Sequence, residues 1–442
     1  MMKPTGLLVA CGVLAALGGT AIWFQKHPTK PESTTPASPK ILTLAEDRIE
    51  GIRIAKPGSE PITLKKIGDK WVITEPKQMD ADQDVVRSIV TSISKLDADR
   101  LIDENPSSLA NYTLAMPLLE VDVTLKGGAV RKLLMGGDTP AGSDVYAKLE
   151  DNPKVYTIST STKSNFDKTL NDLRDKRLLT FNPDKVSTVS VASKGAPFEF
   201  AKNGAGEWQI TKPRPYRADA NQVDDLLRKL KDAKMDLTGY DPKQAAAEYA
   251  GGAKVASATV TDNSGAQTID IRQAKDKTYY AKSTAVEGIY KLTGDLGDGL
   301  KDKDVDAFRN KKLFDFGFSD PSKIEINGAA YQKSGDKWTG PSGQIDSGSI
   351  QSVIDKLRDL SATKFSDKMA GTQTLEFAVT SGEPGKTKVE KVTINKNGDE
   401  YLAQRAGEPS VYVLDPTLFG DLQKAVAGIK PYQAPKPADK KK

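Results

Sequence analysis

At 442 residues, with 38% hydrophobic and 28% charged residues and a net charge of +5, the chain has the composition of a folded protein of about three domains. Lys and Arg alternate with Asp and Glu, so no basic stripe marks a nucleic-acid binder. The single cysteine and single histidine, Cys11 and His27, stand near the N-terminus, which excludes disulfides, Cys-His or Ser-His catalysis and thiolate or imidazole metal sites from the body.

Residues 6–24 run for 19 positions without a charge, enough at about 1.5 Å per residue to cross most of a bilayer. Trp23 and Phe24 close the run where interfacial aromatics sit. The apolar stretch continues past the small residues Gly19-Thr20-Ala21, where a signal peptide would be cut. It also extends well beyond Leu8-Val9-Ala10-Cys11, which has the letters of a lipoprotein signal. An uncleaved transmembrane helix within residues 1–25 is therefore expected, with the N-terminus inside and the body outside the cytoplasm. Pro28, Pro31, Pro36 and Pro39 make residues 26–40 a semi-rigid linker.

The body echoes itself. Gly68-Asp69-Lys70-Trp71, Gly206-Glu207-Trp208 and Gly335-Asp336-Lys337-Trp338 each precede a proline (Pro76, Pro213, Pro341) and then an aspartate (Asp82, Asp219, Asp346). From each aspartate the register holds without a gap: Val86, Val223, Ile350; Ile89, Leu226, Val353; Val90, Leu227, Ile354; Ile93, Leu230, Leu357. This spacing predicts a helix with one apolar face, N-capped by the aspartate. Strand alternation follows at Val121, Val123 and Leu125, at Ala256, Ala258 and Val260, and at Leu375, Phe377 and Val379. Two later strands carry Tyr146 and Tyr156, Tyr280 and Tyr290, Tyr401 and Tyr412. The first two copies close on matching tags, Arg174-Asp175-Lys176-Arg177-Leu178-Leu179-Thr180-Phe181 and Arg309-Asn310-Lys311-Lys312-Leu313-Phe314-Asp315-Phe316. The third lacks one, as expected if the tag packs on the module that follows. The fold class is therefore α+β, three tandem repeats of a mixed, mostly antiparallel sheet with helices. Modules are expected at 41–181, 182–316 and 317–432, with a basic tail at 433–442.

The Gly-x-x-Trp strand, the proline-to-aspartate helix start, the Tyr112-Thr113-Leu114-Ala115-Met116-Pro117 segment and the late Val-Tyr-x-Ile strand together resemble the bacterial family named domain of unknown function 4340. The resemblance covers about residues 41–430 and is looser around Tyr112–Pro117 in the second and third copies. It implies an envelope protein of the bacterial inner membrane, single-pass, with its body in the periplasm and an ABC-transporter permease or related component as partner. It supplies no catalytic residues and no cofactor.

Candidate contact residues follow from the repeat itself. Trp71, Trp208 and Trp338 could stack against sugars or another polymer, though their fixed spacing to the helix favours a place in the module cores. Tyr146, Tyr156, Tyr280, Tyr290, Tyr401 and Tyr412 could line an interaction face, though strand propensity gives the same pattern. Arg174, Arg177, Arg309 and Lys312 could meet phosphate-rich polymers or lipid heads, though cations also suit a helix end. Asp302, Asp304 and Asp306 start like a calcium loop, but Ala307 and Leu313 replace its glycine and closing glutamate. The expected function is an accessory protein that binds a protein or an envelope polymer through its three modules. A carboxylate-based glycan hydrolase and a purely structural spacer are the alternatives.

Overall fold

The computed structural model describes residues 38–383 and 386–434. The expected anchor, most of the linker and the end of the basic tail lie outside the described residues. Among the described residues no helix is long and apolar enough to cross a membrane.

The body holds three nine-stranded sheets with one and the same strand order. In the first, Ile49–Ala55 lies at the centre, and Ile62–Ile67, Lys70–Glu75 and Met79–Asp80 step outward from it to one edge. The helix Gln83–Ser94 carries the chain to the opposite edge, where Arg100–Asp103 is laid down. Leu119–Leu125 then returns beside the central strand, and Val130–Asp138, Asp144–Leu149 and Val155–Ser159 step outward to meet Arg100–Asp103. The sequence pattern predicts a mixed, mostly antiparallel sheet; in the structure every strand pair of this sheet is antiparallel. Short turns join successive strands within each run, which forces reversal of direction; the helix makes one long crossing to the far edge and the segment 104–118 makes the other back to the middle.

The repeated sequence signals explain this geometry. Gly68, Gly206 and Gly335 take positive φ (61°, 83° and 58°) in the turn before each tryptophan strand, a conformation that costs glycine little. Asp82 accepts from the N–H groups of Asp84 and Val85, Asp219 from Asn221 and Gln222, and Asp346 from Ser349, so all three cap their helices. Val86, Ile89, Val90 and Ile93, and their equivalents, face the sheet and are buried. Each such side chain contributes roughly 1.5–3 kcal/mol. Trp71, Trp208 and Trp338 sit in the first, second and third cores. Asp219→Ala is expected to destabilise the second module by about 1 kcal/mol. Thermal melting of the variant against the parent checks this.

The chain divides into two compact units at Asp175 and Lys176, the second containing the second and third modules. That division falls inside the first tag. On its N-terminal side Leu173 accepts from the N–H of Asp82 and Asp175 donates to Asp80. On its C-terminal side Leu178 donates to Ala233 and Lys176 accepts from Met235, which places Leu178, Leu179 and Phe181 in the second core. The second tag repeats the pattern: Phe308 accepts from Asp219 and Asn310 donates to Arg217, then Leu313 donates to Leu360 and Lys311 accepts from Ala362. Leu313, Phe314 and Phe316 belong to the third core. Each tag is thus a strap, held by backbone bonds first to the module it leaves and then to the one it starts. In the first module the strand Lys40–Thr43 takes the starting role by pairing with Lys95–Asp97. The third module keeps only the exit half, with Asp346 donating to Lys430 and Tyr432 to Gln344.

Candidate functional site

The richest polar constellation lies where the second module meets the third. Pro213-Arg214-Pro215 separates the strand Trp208–Lys212 from the two-residue edge strand Tyr216–Arg217, and their register sets Arg217 opposite Gln209. From that edge the Arg217 guanidinium reaches into the third module. It donates to Asp315, to the Lys312 carbonyl and to the Tyr412 hydroxyl (3.1 Å), and pairs with Glu408 at 3.1 Å. Burial pulls its pKa down, but Tyr412, Asp315 and Glu408 more than reverse that, leaving the guanidinium raised and permanently charged. Burial raises the Tyr412 phenol, so it stays protonated and donates to Glu408 at 3.0 Å.

The network continues inward. Arg405 pairs with Glu408 at 2.7 Å and with Glu390 at 2.8 Å, and donates to the Leu313 carbonyl. The buried Glu390 carboxylate accepts the Asp315 N–H at 3.1 Å. Arg309 is buried beside this chain with its guanidinium 4.0 Å from the Tyr216 ring centroid and 3.5 Å from that of Phe365, one ring from each module. It also pairs with Asp306 at 2.8 Å. Aromatic faces attract a cation by about 0.5–2 kcal/mol each, more when it is desolvated.

At the equivalent places the second module receives its own strap through neutral groups. Ser283 donates to the Leu178 carbonyl at 2.5 Å and Gln267 accepts from Thr180 at 2.8 Å, where the third module uses Arg405 and Glu390. Asp262 completes that seat by accepting from Asn182 at 2.7 Å and from Ser264. The Ser264 hydroxyl, then the Asn182 and Ser264 N–H groups, hold its carboxyl below the usual range. A depressed carboxyl stabilises the fold above its unfolded pKa, about 3.9, and loses that contribution as pH falls through the lower folded value. Asp262→Asn is therefore expected to flatten the acid limb of unfolding below about pH 4, readable by hydrogen exchange in strap residues 178–182.

A cleft of about 590 Å³ opens at the same junction. Lys202, Arg217 and Lys388 supply cations, Glu207, Asp224 and Asp315 carboxylates, and Gln209 and Asn310 amides. Trp208 forms part of the wall, with the Lys202 ammonium 5.0 Å from its ring centroid. Among the described residues no group of acidic, cysteine or histidine side chains is placed to hold a metal ion. Asp304 caps the turn Val305–Phe308 and Asp306 pairs with Arg309, which gives two of the calcium-like aspartates other work.

The tyrosines do not share one face. Tyr156, Tyr290 and Tyr412 are buried in the three cores, opposite Ala147, Ala281 and Ala403. Tyr146 and Tyr280 are half-buried on the other side of their sheets, Tyr146 with its ring 5.0 Å from that of Tyr112. Tyr401 lies one residue out of step: Leu402 is the true counterpart of Tyr146 and Tyr280, and Tyr401 packs on Phe419 at 4.3 Å. Of the strap cations, Arg174 bridges Ala81 and Arg177 bridges Lys234 through the backbone, and both are half-buried. Lys312 is exposed, and Arg309 is enclosed between rings. Arg217, Glu390, Arg405 and Glu408 escaped sequence reasoning because they are where the copies differ. Arg217 stands two residues before the capping aspartate, where the other copies have Asp80 and Gln344.

Three sheets of one topology, joined by shared straps, define a tandem-repeat protein of α+β modules. The chain belongs to the family described as Domain of unknown function (DUF4340), which matches residues 71–250 and again residues 208–375. Each match starts at a tryptophan strand and runs past the following module's helix, so the family unit includes the strap. No curated protein and no solved structure matched.

Proposed function

We propose that this is a membrane-anchored binding protein of the bacterial envelope, single-pass through residues 6–24, with its body in the periplasm as accessory to an ABC-transporter-linked system. The observation that carries the binding role is the junction. Arg217, Glu408, Arg405 and Glu390 form a continuous charge chain that ties two modules into one body, and a cleft stands open at their seam. Asp315, Glu390 and Glu408 are committed to arginine partners or strap N–H groups, which favours holding over proton transfer. A rigid pair of modules held off the bilayer by a proline-rich linker raises the effective concentration of one partner site next to another.

The test is crosslinking in intact cells, detergent extraction of the full-length protein and mass spectrometry of co-purifying material. Recovery of a transporter permease or ATPase supports the accessory reading. Recovery of the protein alone removes it.

A further inference from the structure

We infer that the cleft between the second and third modules binds a neutral oligosaccharide. The inference deepens the binding role proposed above and rests on it.

Charge narrows the ligand first. Lys202, Arg217 and Lys388 are matched by Glu207, Asp224 and Asp315, so an ion of either sign meets as many like charges as opposite ones. Two of the cations are already engaged, Arg217 with Asp315 and Lys388 with Glu390. An apolar ligand fares no better, because it would strip water from carboxylates and amides without replacing their hydrogen bonds. Hydroxyl groups do replace them, since each donates one bond and accepts others. The Asp224 carboxylate accepts, the Lys202 ammonium donates, and the amides of Gln209 and Asn310 do both. The Asn310 carbonyl oxygen already takes the Lys312 N–H, which fixes the amide and turns its NH₂ to donation.

Shape and stiffness agree with this chemistry. A volume of about 590 Å³ is within the range of about 300–1,000 Å³ for ligand sites, which favour the seams between domains. The floor is pre-organised, because Arg217 is held from four directions by Asp315, Lys312, Tyr412 and Glu408. Little ordering is left for a ligand to impose, which is what a weakly interacting polyol requires.

The test uses the full-length protein in detergent, titrated calorimetrically with cellotetraose, with tetra-N-acetylchitotetraose and, as a peptide control, with tetra-alanine. Gln209 and Asp224 are exposed, so the Gln209→Ala/Asp224→Ala double variant should keep the parent melting temperature. Saturable binding of either sugar, weakened about tenfold or more in the double variant, supports the inference. Binding of neither sugar, binding of tetra-alanine in preference, or sugar binding that the variant retains overturns it. In-cell crosslinking of the parent separates the two readings: a protein partner recovered by a protein that binds neither sugar leaves the binding role standing while the sugar site falls.

Discussion

Arg217→Ala is expected to uncouple the second module from the third and to cost about 3–5 kcal/mol, the usual penalty for removing one partner of a buried charge network. Its side chain is 18% exposed and that of Glu408 is 19%, so water compensates little for the loss. Alanine leaves Glu408 with Arg405 as its cation and the Tyr412 hydroxyl as its donor, and frees the Asp315 carboxylate and the Lys312 carbonyl together. The effect should be local. Hydrogen exchange on the full-length protein should accelerate at strap residues 312–316 and strand Val411–Leu414, while the first sheet keeps its protection. Arg217→Lys restores charge but not the fork, and should recover only part of the loss. Arg217→Met paired with Asp315→Asn should fare better than Arg217→Ala, since it removes the carboxylate that the single change strands and leaves Glu408 paired with Arg405. Unchanged exchange in Arg217→Ala would show that the straps alone fix the junction.

The straps were legible and the junction chemistry was not, for one reason. A repeated feature leaves copies to align: the two tags align residue for residue, and the third copy's lack of one agrees with packing of the tag on the module that follows. The helices and tryptophans came through the same way, because burial against a sheet imposes a period that survives substitution. Arg217 meets partners 98, 191 and 195 residues away, and no local pattern records such pairings. The tyrosines show how easily a strand register slips by one residue. Shifting Tyr401 by one residue against its true register moves it to the opposite face, because strand side chains alternate with a period of two. Strand direction was read as mostly antiparallel, and only the expected admixture of parallel pairs is missing, since alternation gives a buried face but not which way its neighbour runs.

Gly136→Ala is expected to be the most damaging single methyl in the first module. Glycine inside a strand ordinarily gains about 0.5–1 kcal/mol on becoming alanine, so the sign here is diagnostic. The segment around Tyr112 to Pro117, the family-like stretch of the sequence, crosses the strand Val130–Asp138 with its backbone against Gly136. A Cβ at Gly136 would stand 2.0 Å from the Tyr112 carbonyl oxygen and 3.2 Å from Leu114, a distance backbone cannot absorb without moving. The turn cannot yield easily. Thr113 already takes φ 57°, its N–H donates to Ala110, Leu114 donates to Leu109, and the Leu114 side chain is buried. A loss of about 3 kcal/mol, the upper end of overpacking costs, should follow. Gly137→Ala is the control, because its nearest contact is the Thr113 hydroxyl at 2.9 Å, a side chain able to turn away. Lifting the segment should also part Tyr112 from Asp103, whose 2.9 Å hydrogen bond is the main cause of that phenol's raised pKa. Tyr112 should then titrate closer to an ordinary tyrosine in Gly136→Ala and not in Gly137→Ala. A fall in melting temperature without that change would place the damage in the strand instead of in the segment laid across it. The second module has the helix Pro242–Gly251 at this point in its chain, and the third a short loop before Thr372–Ser381, so neither offers an equivalent position for the same clash.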